Sequence, residues 1–519
     1  MLEKPPKEVA ADLALPCFSL AKKLKKNPIE IAKEIAAKFK KGVYIEKVEA
    51  VGPYVNFYAK WEKLSKDVIS SAGKPSFGKG TKKKERVMVE FIGNNTHKAF
   101  HIGHLRNACL GDSLVRILRF SGYDVVAANY LGDIGAHVAK CLWLYTKQYS
   151  GKEPSSKKGM WLGDIYAEAS GMIENSEDYR KEYLDVLQRL YRWDKDIISI
   201  WKKTREWCLE EFRNINRELG IDIDITFYES DVERSSVEFA NDALKKGVAK
   251  RSDGAIIFDL KEFGLDVLIV LRSDGTPLYS TKDLELAKLK FEKYDIDKSI
   301  YVVGAEQKLY LRQVFKALEL MGFEQAKQCF HLSYELVMLK EGKMSSRAGN
   351  VVLYEDIMRE AFEKARAISQ DSAKEVAIAA LKYSMLSHDS NKTIIFDAED
   401  AIGFEGDTGP YLLYTYTRAR SIMKKSKKKP LFRKAPESIS LVKKMAEFPD
   451  IVSHSCREMK PNYMAVYMHD LAAAFNEFYH TNKVIGSENE ASLLAVVKSF
   501  SLVMKTGLLL MGIRTIERM

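Results

Sequence analysis

The clearest hydrophobic pattern in the chain lies between residues 87 and 133. Residues 87–91, VMVEF, form a short β-branched and apolar run of strand length. Leu110, Leu114, Ile117 and Leu118 then recur at i, i+4, i+7 and i+8, the spacing of one helix face. Gly122 closes that helix, and residues 124–130, DVVAANY, supply the next strand. Strand, turn, helix, turn and strand make one βαβ unit, and such units place ligands at the carboxyl ends of their parallel strands. Further buried-strand runs at 267–271 and 299–303, alternating with helical periodicity, extend the unit to a doubly wound parallel α/β sheet.

Around this core the pattern changes three times. Before it, 10–25 and 28–39 read as helices, with Pro28 at a helix start, and 44–51 and 54–59 as strands turning at Gly52-Pro53. These make a small α/β unit, ended by the linker composition of 74–84. Inside the core, 151–159 is a loop and 165–219 is charged and helical. Shorter strands within 222–259 end in a hairpin at Ser252-Asp253-Gly254. Together, 146–262 reads as an insertion into the nucleotide fold, a surface segment suited to a second substrate. From 354 to the end nearly everything has helical periodicity, broken once at 404–411, which predicts a helical bundle. The domains expected are therefore 1–80, 85–365 and 366–519.

Composition adds exclusions. With 46% hydrophobic and 29% charged residues, the 519-residue chain has an ordinary globular balance. No uninterrupted apolar run approaches the roughly 20 residues of a membrane span, and the first residues lack the apolar core of a signal peptide. The expectation is a cytoplasmic protein with no membrane partner. Six cysteines are scattered without a CxxC pair, which argues against a zinc site or a disulfide framework. Charge is unevenly spread: residues 1–84 hold 19 lysines, no arginine and nine acids, a net +10 out of +11 for the whole chain. Such a first domain either meets a polyanion or keeps a solvated lysine surface.

The candidate chemistry starts at the mouth of the first core helix, in His101-Ile102-Gly103-His104. Two imidazoles three residues apart fall on one side of the first turn. Gly103 lets a ring or phosphate approach the backbone, and the helix N-terminus suits a polyphosphate. Asn94, Asn95, Thr96 and Lys98 add donors on the approach. Standing alone, an HxGH is equally a solvated turn. Residues 342–350, GKMSSRAGN, form a small-residue loop whose Lys343 and Arg347 suit phosphates. Tyr411, Tyr414 and Arg418 lie near one end of the helical region, where they either stack on unpaired bases or pack the bundle.

HIGH on the first helix, followed about 240 residues later by KMSSR, resembles the signature pair of class I aminoacyl-tRNA synthetases. The fuller series VEF, HIGHLRN, SDGTPLYSTKDL, YVVGAEQ, GKMSSRAGN, GDTGPYLLYTYTRA, FNEFYHTNKV and LLLMGIRTIERM is similar to the arginyl-tRNA synthetases, along the whole chain. The resemblance implies a Rossmann-type α/β catalytic domain with an insertion, a small α/β N-terminal tRNA-binding domain and an all-α C-terminal anticodon-binding bundle. It implies activation of L-arginine with ATP and Mg2+, then transfer to the terminal adenosine of tRNA(Arg), by a monomer. Catalytic roles would fall to His101, His104, Lys343 and Lys98. ATP would meet Gly103, His104, Asn107, Lys343, Met344, Ser345 and Ser346. Arginine would meet Glu90, Asn95, His101, Tyr279, Asp283 and Gln307, and tRNA would meet Tyr411, Tyr414 and Arg418. The first domain would meet the tRNA elbow, the insertion the acceptor end and the helical domain the anticodon.

Chemistry supports that amino acid independently, because a guanidinium has five donors and no acceptor and needs a pocket of acceptors. Asp283 alone is equally a first-turn acid interacting with a helix dipole. Three positions depart from the family pattern. Ser346 replaces the second lysine of KMSKS, Ala348 stands where many arginyl enzymes have lysine, and the turn before HIGH reads IGNN instead of SSPN. Lys98 resembles the lysine that compensates for a missing loop lysine. The rival readings are a small-molecule adenylyltransferase, a non-catalytic RNA-binding derivative and another class I synthetase.

Overall fold

The structure is a computed structural model describing residues 2–6, 8–40, 42–340, 352–403, 406–434, 436 and 439–519. Packing groups the chain into two compact units, each assembled from segments distant in sequence. The first contains Met1–Phe77, Arg418–Phe448 and Asp470–Met504, and the second contains Gly78–Thr417, Pro449–His469 and Lys505–Met519.

In the first unit, β1 (Leu13–Pro16), β2 (Ile45–Val51) and β3 (Tyr54–Ala59) form an antiparallel sheet in the order β1-β3-β2. The β2–β3 turn has Gly52 at φ +55°, as expected around Gly52-Pro53. The helix expected over 10–25 is shorter, Phe18–Leu24, because LALP pairs with the edge of β3. Pairing with a neighbouring strand outweighs a modest helical preference. Asn27 caps the Pro28–Lys38 helix through its side chain. The Trp61–Ala72 helix packs on the Ser440–Ala446 helix, joined by the Asp12–Lys443 ion pair at 2.6 Å and by Ser499 Oγ donating to the Ile69 carbonyl.

The second unit is built on a parallel sheet. Its strands are β4 (Arg86–Glu90), β5 (Asp124–Leu131) and β6 (Ile225–Tyr228), followed by an antiparallel trio of β7 (Lys250–Ser252), β8 (Ala255–Asp259) and β9 (Val267–Leu271). Then come β10 (Lys298–Gly304), β11 (Cys329–Tyr334), β12 (Val337–Leu339) and β13 (Ile394–Phe396). The main sheet has the order β11-β10-β4-β5-β6, with every pairing parallel. The chain leaves β4 toward β5 and returns on the other side as β10. The carboxyl ends of β4 and β10 therefore flank a topological switch point, where such sheets bind ligands.

Two strands sit elsewhere than the sequence pattern suggested. Residues 267–271 do form a strand, but β9 pairs antiparallel with β8 and does not continue the parallel sheet. Ile225–Tyr228, inside the segment read as an insertion, is the edge strand of the main sheet. Local periodicity identifies a strand but not its partner. The hairpin at 252–254 is present, with Asp253 at φ +48° and Gly254 at φ +81°, the Asp-Gly turn that suits strand twist.

The Ile102–Phe120 helix is buried on nearly every face and not along one stripe only. Several of its polar residues find partners inside the protein: Asp112 meets Arg116 and Lys382, and Ser113 Oγ donates to the Leu510 carbonyl. The Glu490–Leu510 helix, though interrupted by lysines and hydroxyl residues, is long and apolar enough by mean hydropathy to cross a membrane. It is 72% buried inside the protein, as a core helix is.

Candidate active site

A cavity of about 1130 Å³ opens at the switch point. The end of β4 supplies Glu90, the turn after it Asn95, the next helix His101, Gly103, His104 and Asn107, and the end of β10 leads to Gln307. Tyr279 and Asp283 come from the Tyr279–Tyr294 helix. Sequence separations of more than 200 residues are thus closed by strand pairing of β4 with β10. Tyr411 and Tyr414 lie outside this cavity, where Tyr411 packs near His469 and Tyr414 is 38% exposed. Arg418 donates to Asn476 at 2.8 Å and lies over the Tyr479 ring. Lys343, Met344, Ser345 and Ser346, with Arg347 and Ala348, fall outside the described residues.

The two histidines cap the helix reciprocally. His101, extended at φ −129°, ψ 173°, accepts through Nδ1 from the N–H groups of Gly103 (3.2 Å) and His104 (3.4 Å). His104 Nδ1 accepts from the His101 N–H at 3.3 Å, and the rings stack 3.6 Å apart. Because both Nδ1 atoms accept, each ring carries its proton on Nε2. Burial lowers the His101 pKa to about 4 and takes His104 well below its ordinary value; the Lys98 charge adds to both. The site thus holds two neutral imidazoles, each with one N–H donor left. Lys98 itself is half-buried, with Nζ 5.0 Å from the Tyr166 ring centre.

Gly103 also has a use within the fold. A Cβ there would lie 3.0 Å from His101 Cε1 and 3.1 Å from Nδ1, so the glycine admits the capping ring itself. Gly103→Ala is expected to lower the turnover number of adenylate formation by about tenfold to a hundredfold, with the melting temperature nearly unchanged. Steady-state exchange beside a thermal melt checks this, and a wild-type rate would refute it.

The turn after β4 is held from below. Ile92 adopts φ +77°, a strained conformation for a β-branched residue, followed by Gly93 at φ +61°. Asn107 Oδ1 accepts from Ile92 N–H at 2.6 Å, while its Nδ2 donates to the Val302 carbonyl and to Tyr334 Oη. Asn107 thus ties β4, the helix and β10 together beneath the cavity. Asn94 receives a hydrogen bond from Asn129, and Thr96 is engaged with Gly132 and His97. Of the expected donors in this turn, Asn95 alone lines the cavity.

The opposite wall is acidic. Glu90 pairs with buried Lys290 at 2.5 Å, and Glu229 pairs with buried Lys282 at 2.8 Å. Asp283 differs: it accepts from Tyr310 Oη at 2.5 Å, and among the described residues it has no ion-pair partner. Burial, with the neighbouring charges of Glu90 and Glu229, pushes its carboxyl up to about 7 despite the Tyr310 hydrogen bond and the Lys290 charge. Asp283 follows the first turn of its helix, which contains no acid, so the dipole alternative does not describe it. Tyr279 is 62% exposed at the rim, its ring 5.0 Å from that of Tyr310, and Gln307 is exposed at the mouth. Sequence reasoning missed Glu229, Lys282, Lys290 and Tyr310. The FYES of residues 227–230 and the lysine two turns beyond Asp283 are visible in the sequence, but nothing local ties them to the cavity.

Comparison with known proteins follows the same lines. The family model for the class I (R) tRNA synthetase catalytic domain matches residues 67–397. The DALR anticodon binding domain matches 412–519, and the arginyl tRNA synthetase N terminal domain matches 1–59. An arginine–tRNA ligase of Bdellovibrio bacteriovorus is 36% identical over 550 residues, covering 100% of this chain and 94% of that one. That of Clostridium perfringens is 34% identical over 547 residues, covering 100% and 96%. The Thermus thermophilus arginyl-tRNA synthetase structure matches with a TM-score of 0.87 at 27% identity, over 100% of this chain and 96% of that one. The Plasmodium falciparum arginyl-tRNA synthetase, at 21% identity and a TM-score of 0.81 over 100% and 95% of the two chains, shares the fold. With a catalytic model matched over more than half its length and full-length relatives above 30% identity, this chain belongs to the arginyl-tRNA synthetase family.

Proposed function

We propose a division of labour in the cavity for the family's reaction, the ATP-dependent ligation of arginine to tRNA(Arg). The observation that carries it is one carboxylate, Asp283, which among the described residues forms no ion pair and lines the same cavity as two neutral imidazole donors. A guanidinium supplies the missing cation to Asp283, with Glu90 and Glu229 as further acceptors. Asn95, Tyr279 and Gln307 orient the amino acid, with His101 beside them. Its carboxylate oxygen attacks the α-phosphorus of ATP in line; the new P–O bond forms as the bond to pyrophosphate breaks. His101 and His104 donate Nε2–H to charge growing on the phosphates, Gly103 leaves them room, and Lys98 adds a positive charge. The same reading gives Lys343, with Met344, Ser345 and Ser346, to the phosphate side. Asn107 supports the nucleotide side from beneath. In the second step the 2′-hydroxyl of the terminal adenosine attacks the adenylate carbonyl, and AMP leaves.

Among the described residues no cluster of three or more His, Cys, Asp or Glu could hold a metal. In this reading Mg2+ enters with the ATP, neutralising phosphate charge. The wider reading keeps 1–80, 85–365 and 366–519 as functional domains, with the insertion interrupted by the edge strand Ile225–Tyr228 of the main sheet, working as a cytoplasmic monomer without a membrane partner. Tyr411, Tyr414 and Arg418 serve tRNA contacts in this reading, and the net +10 of residues 1–84 supports a polyanion partner.

ATP–pyrophosphate exchange with each amino acid in turn, with and without tRNA, tests it. Exchange with arginine alone is the expected result. Exchange with another amino acid would remove the Asp283 assignment, and none from folded, tRNA-binding protein would favour a non-catalytic role.

A further inference from the structure

Arg106 lies two residues past His104, and none of its surface reaches solvent. Burying a guanidinium is costly unless its donors are met, and among the described residues Arg106 forms no ion pair. Main-chain carbonyls meet its two terminal nitrogens, while Nε has no hydrogen-bond partner among the described residues. Nη1 donates to the oxygens of Glu335 (2.6 Å) and Leu336 (3.0 Å), and Nη2 donates to those of Ser390 (3.2 Å), Lys392 (2.9 Å) and, longer, Asp389 (3.5 Å). The guanidinium plane also lies 5.8 Å from the Tyr334 ring centre.

All five acceptors stand at the entry to β12 and β13, the parallel pair Val337–Leu339 and Ile394–Phe396. The two segments bond to each other there as well: Glu335 N–H donates to the Ser390 carbonyl and Ile394 N–H to that of Leu336. A planar fork can serve both segments at once, which a lysine's point charge cannot. Beyond this clamp, Val337, Met338 and Lys340 line the cavity together with His101, Gly103 and His104.

We propose that Arg106 is a positioning residue for ATP, fixing the β12 wall against the histidine-bearing helix turn so that the nucleotide meets both in register. The proposal rests on the reading above that puts the phosphates at His101 and His104. Arg106 touches no substrate in this arrangement; it acts through main-chain carbonyls. It leaves the acidic wall alone, since Glu90, Glu229 and Asp283 are held by Lys290, Lys282 and Tyr310.

The test uses full-length Arg106→Lys and Arg106→Met. ATP–pyrophosphate exchange with tRNA present gives the KM for ATP, and calorimetry gives arginine affinity without ATP. A thermal melt on each preparation reports cooperativity. The expected result for Arg106→Lys is a KM for ATP raised by about tenfold or more, arginine affinity within about twofold and cooperative unfolding. An unchanged KM for ATP overturns the proposal. Equal losses of ATP and arginine binding also overturn it, because they mark a general packing defect. If Arg106→Met does not accumulate folded, Arg106→Lys alone decides. Lack of arginine-dependent exchange by the unsubstituted protein overturns the reading of the cavity and this proposal together, whereas normal exchange with unchanged variants overturns this proposal only.

Discussion

Asp283→Asn is expected to raise the KM for arginine by about 10² to 10⁴-fold while the KM for ATP stays within a few-fold. Truncating one side of a buried, hydrogen-bonded charge pair costs about 3–5 kcal/mol, and each 1.4 kcal/mol is a factor of ten. The asparagine keeps the shape and still accepts from Tyr310, so the loss isolates the charge. A second signature follows from the raised carboxyl. With the Asp283 carboxyl pushed up to about 7, a bound guanidinium favours the ionised form, so binding expels a proton from whatever fraction is protonated. Arginine affinity should therefore fall about tenfold per pH unit below 7 and level off above it. Measuring the arginine KM from pH 5.5 to 8 reads this directly. In Asp283→Asn the slope below pH 7 should flatten. A slope retained in the variant would show that another group carries the proton and that Asp283 is not the guanidinium's partner.

The histidine pair should give the second large effect. His104→Ala removes one Nε2–H donor and the acceptor for the His101 N–H, and should lower the activation rate by about 10² to 10³. His101→Asn separates two roles, because asparagine is a good N-cap but does not place an Nε2–H at the same point. It should keep the melting temperature while losing activation rate to a similar degree. A near-normal rate in His101→Asn would reduce His101 to a cap. Since His101 titrates only near 4, the turnover number should be flat between pH 6 and 8.5, in contrast to the arginine KM. Stability should show two other histidines, His97 and His137, at lower pH. Both are buried and lowered to about 3. Their folded values lie below the ordinary 6.5, so between about 6.5 and 3 the unfolded chain binds more protons. Stability therefore holds above 6.5 and declines as pH falls.

The strand at 87–91, the helix beginning at the histidines, the turn at Gly122 and the Asp253-Gly254 hairpin were all readable because their causes are local: periodicity, capping and backbone preference. Asp283 was readable as a candidate acceptor, but its condition was not. What distinguishes it from Glu90 and Glu229 is the partner each one has, and those partners are Tyr310, Lys290 and Lys282 on other elements or turns. Asn94 and Thr96 show the converse. They read as free donors at a ligand site, yet the fold uses them to hold a turn whose Ile92 sits at φ +77°.

The sequence by itself determined which stretches become strands and helices in the nucleotide core, the histidine-bearing helix start, the excess of charge in residues 1–84 and the family resemblance. All of these depend on residue type and short-range spacing. Tertiary structure alone decided that β9 leaves the parallel sheet, that β6 joins it, that Gly103 makes room for His101 and that Arg106 holds two distant segments. It also decided that, among the described residues, Glu90 and Glu229 form ion pairs and Asp283 does not. Those outcomes depend on which groups meet across gaps of up to 286 residues, where pairing and desolvation, not local preference, set the energy.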